Sequence, residues 1–284
     1  MFWHQSRYIY KYLNDPYSLT WFRPKERPAF LLFNIFDNIR PVLTSQMVKL
    51  HLHMKRLLCF FLLLPLISIA QEATQDNFSQ RVLEISPFVN LKVYSGIEIE
   101  LIASSNDSLV IRSETPEEVV SVLKGNTLKL RLGLEYMLQK TQTQIQVYHS
   151  KPLDLIDLSQ GSQLIAPNTV EQTSISLIIQ EGSKAELKMK VEKLSAKIQS
   201  GSKFFPTGTA KNAIISVSSG ATCEADQLFC EQVDVKANFG SVAYVNASQL
   251  VDAKSSVNAT IRVHGNPAKL ITKESVGGKV IEMQ

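Results

Sequence analysis

Cysteine, histidine and tryptophan are scarce in this chain of 284 residues, which contains three, five and two of them respectively. Three cysteines (Cys59, Cys223 and Cys230) cannot build the dense disulfide framework of a small secreted scaffold, and they lack the paired spacing of a zinc site. His149 and His264 are far apart in sequence and have no partner serine or cysteine pattern. The sequence therefore predicts no catalytic triad, no metal centre and no cofactor.

Long hydrophobic runs are also missing. The longest, residues 57–67, is shorter than the roughly 18–20 residues that a membrane-spanning helix needs. It follows the basic segment Met54-Lys55-Arg56 and precedes the small residues of Ser68-Ile69-Ala70, which is the pattern of a secretory signal peptide over 54–70 with cleavage before Gln71. We therefore predict an exported protein, in the periplasm, on the outer surface or outside the cell, whose mature form has no membrane span.

The residues ahead of this signal sequence have no sustained periodicity. Because signal peptides begin proteins, we expect residues 1–53 to be an unstructured upstream extension that results from a mis-assigned start codon, with translation beginning at Met54. Polar residues follow the cleavage point, and we expect 71–82 to be a disordered linker. The β-helix domain proposed below would then cover residues 83–284.

A surplus of positive charge is absent once the leader is removed. Residues 1–70 contain nine of the 30 Lys and Arg and three of the 26 Asp and Glu, so the remainder carries a net charge of about −2. Arginine is not clustered there, so the electrostatic footprint of a nucleic-acid-binding protein is missing. Nucleic acid is therefore excluded as a partner.

The sequence does contain a repeat, from about Asp154 to Asn266. Each copy is a strand-like alternation, two polar residues, a glycine with serine after it, and a second alternation. The spacing in the glycine column is 21, 19, 19, 20 and 16 residues, and a fixed period near 20 indicates a solenoid. The proposed corner glycines, where a turn would need a positive φ, are Gly161, Gly182, Gly201, Gly220 and Gly240, with Ser256 in the sixth copy.

Apolar residues occupy equivalent positions in these copies. Period 2 within a copy places them on one face, and stacking of copies would bury them in continuous ladders. Three residues before the corner stand Leu158, Ile179, Ile198, Val217, Ala237 and Ala253. Three after it stand Leu164, Ala185, Phe204, Cys223, Ala243 and Ala259. We predict an all-β protein, a right-handed parallel β-helix, the hand following the general preference of parallel crossovers.

The first part of the domain is less regular. Alternating segments such as Ile97–Leu101 and Leu128–Leu132, separated by turn residues, predict an irregular β part over 83–152, followed by regular coils over 153–266 and an end segment over 267–284. Thr115-Pro116-Glu117-Glu118 has the cap, proline and acidic residues that begin a helix. We predict one short helix near 116–123.

These features together resemble a known secreted family. The segment Phe-x-x-Leu-x-Val-x-x-Gly-Ile-x-Ile-x-Leu from Phe88, the later Gly-Asn-Thr-Leu-Lys-Leu, the Gly-Ser repeats and the closing Gly265-Asn266-Pro267 are similar to the family named "putative auto-transporter adhesin, head GIN domain", common in Bacteroidetes. The resemblance covers roughly residues 83–281 and implies a β-helical fold and export, with no catalytic residues to transfer. Two departures are Ala221 and Val257 in place of the serine.

Three side-chain sets are candidate sites. Asp154 and Asp157 stand at the entrance to the solenoid, and β-helix polysaccharide enzymes use carboxylates clustered on one face, as a calcium site or an acid/base pair. A separation of three in a strand, however, places these two on opposite faces. Cys223 and Cys230 could form a disulfide or remain two free thiols. The serines after the corner could either satisfy the backbone of the turn or present a row of hydroxyls to a glycan or another surface; they are Ser162, Ser183, Ser202 and Ser241.

The function that these observations favour is non-enzymatic. We expect an exported solenoid that acts at the cell envelope through its surface, in adhesion or in binding a glycan or cell-surface component. A polysaccharide-active β-helix enzyme and a purely structural scaffold are the alternatives. An enzyme would bring several acidic or basic residues together on adjacent coils, and no such cluster is visible in the repeat.

Overall fold

A computed structural model describes residues 78–133, 135 and 142–283. The predicted signal peptide, the upstream extension and residues 71–77 of the predicted linker lie outside the described residues. The strands are β1 Ser79–Glu84, β2 Asn90–Val93, β3 Glu98–Ala103, β4 Ser108–Ser113, β5 Val119–Lys124, β6 Thr127–Leu132, β7 Thr143–His149, β8 Leu155–Leu158, β9 Gln163–Ile165, β10 Val170–Ile179, β11 Lys184–Ile198, β12 Lys203–Val217, β13 Thr222–Ala237, β14 Val242–Ser256, β15 Thr260–His264, β16 Lys269–Ser275 and β17 Lys279–Glu282.

The parallel β-solenoid is confirmed, with about seven turns and coils of about 19 residues. Successive strands from β10 to β14 pair in parallel and in register, for example Ile179 with Ile198 and Ile198 with Val217. The second half of each coil pairs with the second half of the next, and the first halves do the same. Like positions therefore stack about 4.8 Å apart, which is the spacing of neighbouring strands.

The apolar ladders form one continuous core. Ile156, Leu177, Ile198, Phe204 and Val235 are each at most 1% exposed, as the alternating pattern predicts. Because every coil contributes residues at the same positions, neighbouring coils bury each other's apolar faces. A substitution in a ladder is therefore felt by at least two coils.

The corner glycines all adopt positive φ, between +67° and +76°. The residue before each of them is also left-handed. Each glycine N–H donates to a backbone carbonyl in the next coil, that of the residue just before the glycine position of that coil; Gly182 N–H, for example, donates to Ser200 O at 3.0 Å. Two consecutive left-handed residues form the same tight turn in coil after coil. The series also includes Ser95-Gly96 at its N-terminal end and Val276-Gly277 at its C-terminal end.

The sixth corner lies two residues beyond the predicted one. Val257 and Asn258 adopt φ of +49° and +58°, so Asn258 and not Ser256 occupies the glycine position. The register agrees, because Ala237 pairs with Ser255 and not with Ala253. The prediction was wrong here because asparagine also tolerates the left-handed region, and a valine before it gives no turn signal. The shift of two leaves inward and outward positions unchanged.

The serine column is buried, which corrects its prediction as an outward surface contact. Ser162, Ser183, Ser202 and Ser241 are at most 1% exposed. Three of the hydroxyls bond to the corner backbone: that of Ser162 donates to Ser159 O at 2.7 Å, that of Ser241 donates to Val217 O at 2.9 Å, and that of Ser202 accepts from the Ser183 N–H at 3.2 Å. The Ser183 hydroxyl is buried and has no hydrogen-bond partner among the described residues. Buried Ala221 and Ala259 occupy the same position. This position therefore requires a small side chain, and the serines have a structural role at the turn instead of presenting hydroxyls to a ligand.

The predicted helix is reduced to one 3-10 turn, Pro116–Glu118. Residues 119–124 form β5, which pairs antiparallel with β6. The β-branched Val119, Val120 and Val122 favour a strand, and the ladder to β6 supplies their backbone hydrogen bonds.

Antiparallel strands close the N-terminal end of the solenoid. β5 pairs with β6 on one side, and β4 and β1 extend from β7 on the other. Residues 79–82, assigned above to the linker, are part of β1. At the opposite end two inward columns become polar: Thr272 pairs with Ala253, and Glu274 follows Ser255 in the column that begins with Val217 and Ala237. These changes limit the exposed apolar area at both ends.

Candidate binding groove

Opposite the glycine corner, each coil bends inside a long strand. The ladder pairing is interrupted there once per coil, at Thr173, Glu192, Lys211 and Glu231. Register shifts lie near the bend in two of these pairings, between Phe204 and Gly208 where β12 pairs with β13, and between Ala225 and Phe229 and between Cys230 and Gln232 where β13 pairs with β14. Gly208 lies next to it with φ of +102°, and an added Cβ would overlap the Met189 carbonyl. The backbone there can therefore be formed only by glycine.

The stacked bends form a groove with a volume of about 860 Å³. We call it the bend groove. It crosses five coils, so its length is about 20 Å at the usual strand spacing. The floor contains the buried side chains of Val191, Ala210 and Cys230. One wall is formed by Glu171, Lys190, Thr209, Phe229 and Asn246, and the other by Thr173, Glu192, Lys211, Glu231 and Ser248.

The walls are polar and carry charges of both signs. Lys190 Nζ lies 2.6 Å from a carboxylate oxygen of Glu171 in the neighbouring coil. This hydrogen bond raises the pKa of Lys190, with the charge of Glu171 as the second cause. Both side chains are well exposed, so the pair orients groups more than it stabilises the fold. Along the other wall, Glu192, Lys211 and Glu231 alternate in sign from coil to coil.

One aromatic ring stands on the lip of the groove. Phe229 is 57% exposed, whereas Ala225 and Leu228 just before it are buried. Beside it, Asn246 donates through Nδ2 to Asp226 O at 2.8 Å, which fixes its side chain in the wall. An exposed ring next to fixed amide, hydroxyl and carboxylate groups can contact a flat apolar face of a ligand while its polar edge is hydrogen-bonded.

Cys223 and Cys230 are free thiols and do not form a disulfide, which decides between the two possibilities that the sequence left open. Cys223 is fully buried in its ladder and Cys230 lies in the groove floor. Burial raises the pKa of both thiols, that of Cys230 to about 12. They are thus small apolar core residues and not nucleophiles at neutral pH.

Asp154 and Asp157 are separated as the strand geometry predicts, one exposed and one buried. Lys92 Nζ lies 3.0 Å from Asp157, and Gln180 Nε2 donates to the same carboxylate at 3.3 Å. The hydrogen bond to Asp157 is also the main cause that raises the pKa of Lys92. Asp157 is therefore part of a structural ion pair and does not share a site with Asp154.

No metal site or membrane helix is found in the described part of the chain. Among these residues no group of three or more His, Cys, Asp and Glu side chains could hold a metal ion. His149 and His264 lie in β7 and β15, and His264 stacks on Tyr244 with ring centroids 6.4 Å apart. No helix in the same residues is long and apolar enough to cross a bilayer.

Sequence reasoning missed the bend groove. The repeat pattern predicts the apolar ladders and the glycine corners. Phe229 lies where the alternation of buried and exposed residues is interrupted, so it is in none of the repeated positions. A signal existed in Glu192, Lys211 and Glu231, which recur at coil spacing. Each is followed by a second polar residue, so the alternation of apolar and polar residues is interrupted at the same place in each coil.

Comparison with known proteins gives a family and a fold. The family "Putative auto-transporter adhesin, head GIN domain" matches residues 87–267. A crystal structure of a putative adhesin from Bacteroides fragilis is similar at a TM-score of 0.67 and 17% identity, covering 72% of this chain and 97% of that one. A crystal structure of a putative adhesin from Parabacteroides merdae is similar at a TM-score of 0.59 and 16% identity, covering 73% of this chain and 96% of that one. No curated protein matches. The two structural similarities show the fold alone.

Proposed function

Because this chain belongs to the family "Putative auto-transporter adhesin, head GIN domain", we propose that it is an exported, non-enzymatic adhesin that binds an extended glycan in the bend groove. The observation that carries the proposal is the exposed Phe229 ring beside a five-coil groove that has polar walls and an apolar floor. Sugars present apolar C–H faces and hydroxyl edges, so a ring with amide and carboxylate neighbours complements them. The length of the groove suits several consecutive sugar units of a polymer.

The groove favours binding over hydrolysis. A glycosidase needs one carboxyl group that remains protonated near neutral pH, which requires an apolar surrounding, and a second carboxylate opposite it. Glu171 and Glu192 are exposed in an open groove, and Glu171 is paired with Lys190. Glu192 and Glu231 are two coils apart on the same wall, with Lys211 between them. These carboxylates are arranged to accept hydrogen bonds from hydroxyl groups.

Export follows from the predicted signal peptide. Cleavage would leave a mature protein beginning at Gln71, with nothing from residues 1–53, at the cell envelope or outside the cell. N-terminal sequencing of protein from the native host tests this expectation; a mature form that begins near Met1 would contradict it.

The binding proposal is tested on an array of bacterial and host polysaccharides with the form beginning at Gln71. We expect retention on a restricted set of polymers, and about tenfold weaker binding by Phe229→Ala, since loss of an aromatic anchor costs on the order of 1.4 kcal/mol. Phe239→Ala is the matched control, because Phe239 is 60% exposed but lies at the glycine corner. Equal losses for the two variants, or no retention of the wild type, would reject the groove as a glycan site; the second result would favour a structural scaffold.

A further inference from the structure

The glycine corner changes character along the solenoid. In each turn the residue before the glycine position is left-handed, and in the earlier coils it is polar: Gln160, Glu181, Ser200 and Ser219. In the last three coils the same position is taken by Phe239, Val257 and Val276. We call these three residues the apolar ridge. They lie in adjacent coils, so they form a continuous row about 10 Å long.

The fold does not require apolar residues there. Phe239 is 60% exposed and Val276 is 74% exposed, and Val257 between them is half-buried; none of the three belongs to the hydrophobic core. The φ values of Val257 and Val276 are +49° and +48°, a region that β-branched residues strongly resist. Ser200 and Ser219 adopt the same conformation at lower cost. Strained and exposed apolar side chains at equivalent positions point to a role outside folding.

Basic residues accompany the apolar ridge in a fixed arrangement. Each ridge residue is preceded by a lysine three positions earlier, giving the pairs Lys236 with Phe239, Lys254 with Val257 and Lys273 with Val276. The register stacks Lys236 on Lys254 and Lys254 on Lys273, so the lysines form a row parallel to the ridge. On the other side Lys279 follows Val276 by three residues. Tyr244 and Arg262 lie beyond, with the Arg262 guanidinium 5.1 Å from the ring centroid.

The acidic groups around the ridge lie farther from it or are engaged. Asp234 and Asp252 precede Lys236 and Lys254 by two residues, so they lie farther along the strands from the ridge. Asp252 also pairs with Lys254 at 2.7 Å. Glu274 accepts a hydrogen bond from the Val280 N–H at 2.6 Å, and Glu282 lies near the end of β17. Lys236, Lys273 and Lys279 form no ion pair within the described residues. The ridge is therefore an apolar apex with available cations on both sides.

We propose that the apolar ridge and its lysines form a contact site for an anionic lipid bilayer. The apex would enter the interface between headgroups and acyl chains, while the lysine side chains extend along the surface to the lipid phosphates. Juxtaposed lysines are attracted to an anionic leaflet within a Debye length. A second copy of the chain is less suitable, since it would offer the same lysines to each other. This proposal goes beyond glycan binding and is independent of the groove.

Vesicle co-sedimentation tests it with the form beginning at Gln71, which contains every described core residue. We expect sedimentation with vesicles of phosphatidylcholine and phosphatidylglycerol, little with phosphatidylcholine alone, and weakening by salt. The variant Phe239→Ser/Val257→Ser/Val276→Ser should lose about tenfold in vesicle affinity yet melt at the same or a higher temperature, because serine already occupies this turn position in two coils. Phe229→Ala is the control and should bind like the wild type.

Three results would overturn the proposal. One is failure of the wild type to sediment with anionic vesicles, and another is sedimentation of the triple serine variant to the same extent as the wild type. Equal binding to neutral vesicles would also reject it, because the lysines would then have no role. Concentration-dependent self-association that the triple variant abolishes, without vesicle binding, would assign the ridge to contact between copies. Glycan retention by the same variant is expected to be unchanged, which separates this proposal from the groove.

Discussion

Glycine at the corner is required by the backbone and not by crowding. Gly201 has φ of +73°, and a Cβ built on it would meet no atom within 4 Å. Gly201→Val should therefore destabilise the protein by about 1–3 kcal/mol, entirely through the cost of a β-branched residue in the left-handed region. Urea melts measure the change. Gly201→Asn should lose less than Gly201→Val, since asparagine tolerates this conformation, as it does at Asn258.

A stabilising Gly201→Val would contradict the corner assignment. It would mean that the glycine column lies in extended strand, where valine is favoured over glycine. A loss as large for Gly201→Asn as for Gly201→Val would instead mean that the space around the corner, and not its φ, decides the cost.

The two thiols provide a second test at the residue scale. A pKa of about 12 leaves roughly one in 10⁴ of the Cys230 side chains as thiolate at pH 8. Burial raises the pKa of Cys223 as well. We expect iodoacetamide to label neither cysteine of the native form beginning at Gln71 within minutes, and to label both after unfolding in urea. Rapid native labelling of Cys230 would show that the groove floor opens to solvent.

At the scale of the element, the inward ladders determine stability. Ile198 is fully buried and is stacked between Ile179 and Val217, so Ile198→Asp places an unpaired charge between two coils. A loss of several kcal/mol, on the order of 3 or more, is expected from desolvation of the carboxylate. Lys203 is exposed in the next strand, and Lys203→Asp should change stability by only about 0.5 kcal/mol. Comparable losses for both variants in denaturant melts would contradict the assignment of faces.

The same ladders explain what the sequence predicts well. Period 2 within a copy and period 19 to 21 between copies identify inward residues such as Ile198 and Phe204 directly, because one face of each strand must be buried. The serine column shows where the prediction of faces failed. Ser162 is two residues from inward Leu164 and so lies on the same face, but its polar hydroxyl favours the interpretation that the side chain points to solvent. Its hydrogen bond to Ser159 O, which makes burial possible, is visible only in three dimensions.

Local signals were less reliable at the sixth corner and at the predicted helix. Val257 takes a left-handed conformation that its own preference opposes, because the neighbouring corners impose it through the stacked backbone hydrogen bonds. Gly240 N–H donates to Val257 O at 3.0 Å. Val119 to Lys124 follow a good helix start, but pairing with β6 makes them a strand. In both cases tertiary pairing exceeds a local preference of about 1 kcal/mol.

For the whole molecule, the two edges of the solenoid have different chemistry. The glycine corner is regular and ends in the apolar ridge, whereas the bend opposite it is irregular and forms the polar groove. Neither surface belongs to the apolar ladders or the glycine column on which the fold prediction rests, because both consist of positions where the repeating pattern is interrupted or replaced. A solenoid with a bilayer contact on one edge and a glycan groove on the other would hold a glycan at the envelope surface.

Hydrogen exchange measured by mass spectrometry, with and without the polysaccharide that the array retains most strongly, tests the central claim of a glycan-binding groove most directly. Bound glycan is expected to slow exchange in segments that contain residues 171–173, 190–192, 209–211 and 229–231, and to leave the glycine corner unchanged. Protection confined to the corner or to the outward sheet faces, with none at these four bends, would contradict the account.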